Sequence, residues 1–263
     1  MQFIVQGYPA FAYTGGVAFD AKLPVVVMVH GAAMDHSVWQ WQSRYLAHHG
    51  YAVLAVDLPA HGRSPGLARE RIEELGSWIV GLLDAGGIEQ AALVGHSMGS
   101  LAVLQAAITA PQRVRRLALV ACAVPMAVSD AFLAAAKEAP PVAFDTEAVW
   151  GHAKNSQLAS SPVPGATLLG ATRALNGRSR NGVLEADLRA CNAWRPAQEA
   201  LKSVAVPTLV VCGRRDVMTP PRAGKALAAA IPGAKLVMLE SGHSMMVEAP
   251  RETLAALRDF LAG

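Results

Sequence analysis

The chain has 263 residues, 52% of them hydrophobic, and a formal net charge of +3. That length suits one large α/β domain carrying an insertion better than two independent domains, and the composition allows a sizeable buried core. So small a charge, with no long basic run, argues against a nucleic-acid partner, and no apolar run approaches the roughly 18 residues a membrane span needs.

Three cysteines, Cys122, Cys191 and Cys212, are an odd number without a C-x-x-C pair. They read as reduced, largely buried thiols of a cytoplasmic protein rather than a disulfide framework. No basic segment followed by a long apolar stretch opens the sequence, so no secretory signal is expected. Residues 2–6 and 10–14, separated by Gly7-Tyr8-Pro9, predict an edge hairpin. Val25 to Val29 is a continuous β-branched run, the mark of a strand buried on both faces in a parallel sheet. It ends at His30-Gly31-Ala32. A helix through Trp39, Trp41, Tyr45 and Leu46 follows, then a strand Tyr51 to Val56 ending in Asp57-Leu58-Pro59-Ala60-His61-Gly62-Arg63-Ser64, then a helix from about Ala68 to Leu83. The next strand is Ala91 to Val94, and its helix runs to Pro111. Val114 to Ala121 is another strand.

Strand alternating with helix in this way is the doubly wound α/β pattern. Residues 124–204 break it: they are rich in alanine and proline, with helix candidates at about 129–138, 145–155, 166–175 and 181–194 and no convincing strand. A structureless loop of that length is implausible in a compact domain, so a helical cap over the sheet's carboxyl edge is expected, with 1–123 and 205–263 as the core. The sheet pattern resumes with Pro207 to Cys212, a helix Ala223 to Ala230, a strand Ala234 to Leu239 and a last helix, Pro250 to Leu261, burying Leu254, Leu257 and Leu261.

The chemistry concentrates at Gly95-His96-Ser97-Met98-Gly99, a G-x-S-x-G turn between a strand and a helix. Glycines are needed there because a serine held on a sharp, strained turn has neighbours pressed against it. The turn lifts the Ser97 hydroxyl clear of the sheet at the positive end of the following helix. Asp216 and His243 also sit just after core-type strands, and the carboxyl ends of parallel strands share one edge. A serine hydroxyl needs a base within reach, and the base needs an orienting carboxylate. Asp57 and Asp130 are competing candidates for that carboxylate, although Pro59 and Gly62 make Asp57 read as part of a tight turn. His30 and His96 read as packed loop residues, His61 as a turn residue, and His36, His48, His49 and His152 as surface or helix residues. No histidine–carboxylate grouping has metal-ligand spacing.

With Gly95–Gly99, His30-Gly31-Ala32, Asp57 to Ser64, Gly213-x-x-Asp216-x-x-x-Pro220 and Gly242-His243 in view, the sequence resembles the α/β-hydrolase fold superfamily over essentially its whole length. The resemblance implies a mostly parallel central sheet flanked by helices. It makes Ser97 the nucleophile, His243 the general base and then acid, and Asp216 the orienting carboxylate. It places the oxyanion hole at the backbone N–H groups of Ala32 and Met98. No cofactor and no metal are required. Trp39, Met126, Met245 and Met246 are candidates for an apolar substrate pocket, with ordinary core packing as the competing reading. The expected activity is cleavage of a small, largely apolar ester through an acyl-enzyme. The alternatives are an enol-lactonase, a C–C bond hydrolase, a cofactor-free perhydrolase, or a ligand receptor on a hydrolase scaffold.

Overall fold

The runs of apolar, β-branched residues become buried strands, and the glycine- and proline-marked segments between them become the turns. The computed structural model describes residues 1–158 and 167–263, the Leu158 side chain excepted. In chain order the elements are β1 (Gln2–Val5), β2 (Tyr8–Tyr13), β3 (Val25–Val29), α1 (Gln40–Ala47), β4 (Ala52–Val56), α2 (Ile72–Ala85), β5 (Ala91–His96), α3 (Met98–Thr109) and β6 (Val114–Val120). Then come α4 (Asp130–Glu138), α5 (Pro140–Trp150), α6 (Lys154–Leu158), α7 (Leu168–Asn176), α8 (Val183–Ala193) and α9 (Gln198–Lys202). The chain closes with β7 (Thr208–Gly213), α10 (Pro221–Ala230), β8 (Lys235–Leu239), α11 (Met245–Glu248) and α12 (Pro250–Ala262).

The eight strands form one sheet in the order β1-β2-β4-β3-β5-β6-β7-β8. The β1–β2 hairpin joins the edge antiparallel, through Ala12 and Tyr13 against β4. All other pairings are parallel. Strand order reverses at β3, which has β4 on one side and β5 on the other, and the loops leaving β3 and β5 open a crevice there. Successive β3 residues alternate between the two layers. Val25, Val27 and Val29 pack with Leu75, Ile79, Leu101 and Leu104 of α2 and α3. Val26 and Met28 pack with Leu46 of α1 and Leu257 and Leu261 of α12.

Several boundaries differ from the sequence expectation. Helix α2 begins at Ile72 rather than near Ala68, because Arg71 is extended (φ −138°) and Arg69 Nη2 donates to Gln6 Oε1 at 2.8 Å, tying this segment to the β1–β2 turn. Glu73 and Glu74 then fall in the first turn, where the helix dipole favours acids. The expected helix 145–155 is two helices. Pro140 pre-sets the first turn of α5, and Gly151 ends it, since a Cβ there would press on Glu147 O at 2.8 Å. The short α9 carried no clear sequence signal, and the 166–175 expectation begins at a residue outside the described ones. On α12 the buried stripe is Thr253, Leu257, Phe260 and Leu261; Leu254 is half-buried.

The turn between β5 and α3 shows why glycine is required on both sides of Ser97. A Cβ on Gly95 would meet the backbone of Gly99 and Ser100, and one on Gly99 would meet the carbonyl oxygens of Val29 and His30. These are main-chain atoms of central elements and cannot step aside. Gly99→Ala is therefore expected to cost about 3 kcal/mol or more, read as a lowered denaturant midpoint with an unchanged m-value, whereas alanine at the unobstructed Gly182 tests only its positive φ.

Candidate active site

Ser97 sits at φ 52°, ψ −120°, between the end of β5 and the first residue of α3. A non-glycine residue in that region is strained by about 1–3 kcal/mol. The surroundings hold it there: Ser97 N–H donates to Val120 O on β6 at 3.0 Å, and Ser97 O accepts from Ser100 N–H at 2.9 Å and from Ser100 Oγ at 2.5 Å. The side chain is left at the rim of a cavity of about 240 Å³ that Ala32, Thr219 and His243 also line.

Asp216 follows β7 and His243 follows the adjacent β8, while β6 separates β7 from β5, which carries Ser97 at its end. His243 Nδ1 lies 2.9 Å from Asp216 Oδ2. Asp216 Oδ1 accepts from the N–H groups of Met218 and Thr219, both at 2.8 Å, and Oδ2 accepts from Thr219 Oγ1 at 2.5 Å. Both residues are buried, Asp216 at 3% exposure and His243 at 2%. Burial alone would push the Asp216 carboxyl up, but the His243 ring and the Thr219 donors outweigh it and hold it below the usual carboxylate range. A charged Asp216 requires the proton on Nδ1, which leaves Nε2 as the basic nitrogen. Thr219 is a contributor that the sequence pattern did not single out; its only signal was its place three residues after Asp216, before Pro220.

Neither competing acid is near this arrangement. Asp57 is fully buried in its own turn, accepting from His36 N–H and Nδ1 at 2.7 Å and from Arg63 N–H at 2.8 Å. Asp130 is exposed at the start of α4.

The histidines around the site have fixed structural work. His30 Nδ1 donates to Gly31 O at 2.7 Å while Nε2 accepts from Leu58 N–H at 3.0 Å, which fixes its neutral tautomer and the peptide preceding Ala32. Burial pulls the ring down to about 4. His96 packs on the His243 ring at 4.8 Å, and burial, then the neighbouring His243, pulls it to about 3. His36 opens the short helical turn His36–Trp39, half-buried against Asp57, and His48 and His49 are exposed; His152, expected on the surface or a helix, is instead buried (3%) just beyond α5 with Nδ1 bonded to Ala148 O at 2.8 Å.

The backbone N–H groups of Ala32 and Met98 have no acceptor among the described residues. Ala32 lines the cavity, and Met98 opens α3 directly after Ser97, its side chain fully buried in the core. Next to Ala32, the Ala33 N–H donates to Asp187 Oδ2 of α8 at 2.9 Å. The same oxygen is 2.8 Å from His61 Nε2, and His61 Nδ1 faces Pro59 O at 2.9 Å. Both ring nitrogens thus face acceptors, the arrangement of a doubly protonated imidazolium. Burial is the largest influence on His61 and lowers its pKa, but the charge of Asp187 and the hydrogen bonds to Asp187 and Pro59 raise it on balance. The raised pKa makes the pair's contribution full below about pH 6.5 and lost as pH rises through the folded-state value. Asp187→Ala leaves two buried donors unpaired and is expected to cost about 3 kcal/mol. Denaturation series should show the gap between wild type and variant widest in mild acid and narrower in alkali; an equal gap throughout would contradict a charged pair.

Of the four pocket candidates, Met126 lines the cavity. Trp39, Met245 and Met246 do not: they pack in the layer with α1 and α12, Trp39 edge-on to His96 at 6.5 Å, and Met246 also borders a separate cavity beside α7. The lining instead comes from α4, α5 and α8, through Phe132, Glu147, Trp150, Leu188 and Cys191. Trp194 serves as a strut, its Nε1 donating to Gln105 Oε1 at 3.0 Å. All three cysteines are buried and unpaired. Among the described residues, no helix is long and apolar enough to cross a membrane.

A family model described as the alpha/beta hydrolase fold matches residues 24–250, and the chain belongs to that family. It is 31% identical over 249 residues to the dihydrolipoyllysine-residue acetyltransferase component of the acetoin cleaving system of Cupriavidus necator, covering 90% of this chain and 63% of that protein. The chain therefore spans less than two thirds of that relative's length. It is also 32% identical over 221 residues to a pimeloyl-(acyl-carrier protein) methyl ester esterase of Neisseria meningitidis, covering 81% of this chain and 83% of the esterase. Among solved structures, the enol-lactonase from Burkholderia xenovorans LB400 superposes with a TM-score of 0.87 over the full length of both chains at 24% identity, a likeness of fold. Family membership and the esterase relative support a hydrolytic role.

Proposed function

We propose that the chain is a serine hydrolase that cleaves a small carboxylic ester through an acyl-enzyme. Ser97 is the nucleophile, His243 Nε2 takes and returns its proton, and Asp216 holds the imidazole and balances the imidazolium that forms. The N–H groups of Ala32 and Met98 receive the oxyanion, each worth roughly 3–4 kcal/mol in comparable enzymes. Residues 124–204 act as a cap whose α4, α5 and α8 close the substrate space. The observation that carries this reading is a strained Ser97 opening on the same cavity as His243, whose other nitrogen is anchored to a buried Asp216.

A cavity of about 240 Å³ falls below the usual range of roughly 300–1,000 Å³ for drug-sized ligands, which favours short acyl groups. On p-nitrophenyl esters of increasing acyl length, kcat/KM is expected to rise about four-fold per methylene, the equivalent of ~0.8 kcal/mol each, and to fall once the cavity is full. Hydrolysis of lactones but of no open-chain ester would instead favour a lactonase.

A further inference from the structure

One polar group in the cavity has no part in the chemistry just described. Glu147, on α5, lines the cavity while only 5% exposed. Its Oε2 accepts from Asn176 Nδ2 on α7 at 2.9 Å, and its Oε1 has no protein donor among the described residues. Asn176 Oδ1 is buried without a partner as well. A strut joining α5 to α7 requires only Oε2, so Oε1 is left over. No lysine or arginine lines the cavity.

Two aromatic residues line the same cavity as the carboxyl. Trp150 lies three residues on, on the same face of α5, and Phe132 of α4 packs on it with centroids 5.5 Å apart at 57°. A cation within about 6 Å of such a ring is attracted to its face. An anion would meet one carboxyl in the cavity and the nearby Asp187 carboxyl of α8. A buried carboxyl without a cation is costly, and burial, with Asp187 adding to it, pushes Glu147 up to about 8. A ligand bearing a positive charge and several N–H donors supplies what the carboxyl lacks.

We propose that Glu147, Trp150 and Phe132 form a subsite for a protonated primary amine, and that the ester cleaved here carries an ammonium group on the part enclosed by α4, α5 and α8. The proposal rests on the ester-hydrolase reading and gives it a substrate class, amino esters over neutral or carboxylate-bearing ones.

The test compares p-nitrophenyl esters of ω-amino acids, from γ-aminobutyrate to ε-aminocaproate, with alkyl esters of matching length, in wild type and Glu147→Gln. At the best length the amino ester is expected to have a kcat/KM about ten-fold higher, a difference of ~1.4 kcal/mol, and Glu147→Gln to abolish that ratio. Equal or lower kcat/KM for the amino esters at every length overturns the subsite. Calorimetry with hexylamine against hexan-1-ol separates the two claims. Amine binding that depends on Glu147, without Ser97-dependent turnover of any ester, upholds the subsite and sinks the hydrolase reading. No amine binding and no amino-ester preference sinks the subsite and leaves the hydrolase standing.

Discussion

Ser97→Ala is expected to lower kcat on every ester the protein accepts by about a million-fold, the scale seen when a serine nucleophile is removed, with the unfolding transition unmoved. The variant loses one hydroxyl and keeps the Cβ, the φ of 52° and the hydrogen bonds that its own N–H and C=O make to Val120 and Ser100. Nothing that holds β5 to α3 is lost. Ser97→Gly separates strain from chemistry. It should be as inactive as the alanine variant, yet more stable than it by about 1 kcal/mol, because glycine accepts a positive φ without cost. Steady-state rates and denaturant midpoints of the three proteins, taken side by side, check both statements. A glycine variant no more stable than the alanine variant would mean the turn is unstrained.

Asp216→Asn should reduce kcat by about ten-thousand-fold, as the equivalent change does in comparable enzymes. Asp216 Oδ1 is already committed to two backbone N–H groups, so an asparagine would keep its oxygen there and turn its NH₂ towards His243 and Thr219. A donor facing Nδ1 drives the ring proton to Nε2, where it can no longer accept from Ser97. Thr219→Val tests the supporting contact. It removes the hydroxyl donor to Asp216 Oδ2 and should cost activity modestly, because His243 still holds that oxygen. Rates measured against pH complete the test. Asp216 is held below the ordinary carboxylate range, so no loss of rate from its own protonation is expected until the pH falls below that range.

The parts most legible in the sequence were those where only one residue type fits. Gly95 and Gly99 are dictated by main-chain atoms that leave no room for a Cβ, so the strand–turn–helix around Ser97 could be read without a structure. The continuous apolar runs gave the parallel strands for a similar reason, since both their faces are buried. The pocket was not legible. Met245 and Met246 come two and three residues after His243, but α11 turns their side chains under the sheet into the layer with α12. Nearness in sequence to a catalytic loop does not fix which face a side chain takes. Glu147 and Asp187 belong to no motif in the sequence and were not singled out there. Their burial depends on His61, Ala33 and Asn176, partners up to 154 residues away, which no local pattern encodes. The start of α2 was misplaced for the same kind of reason, a tertiary bond from Arg69 to Gln6.

The most direct test of the account is pre-steady-state release of p-nitrophenol from a short-chain ester, with the quenched protein digested and its acylated peptide identified. The expected result is a burst approaching one equivalent per chain, with the acyl group on Ser97 and absent from Ser97→Ala. Linear release without a burst, together with no adduct on Ser97 and undiminished turnover in the alanine variant, would contradict it.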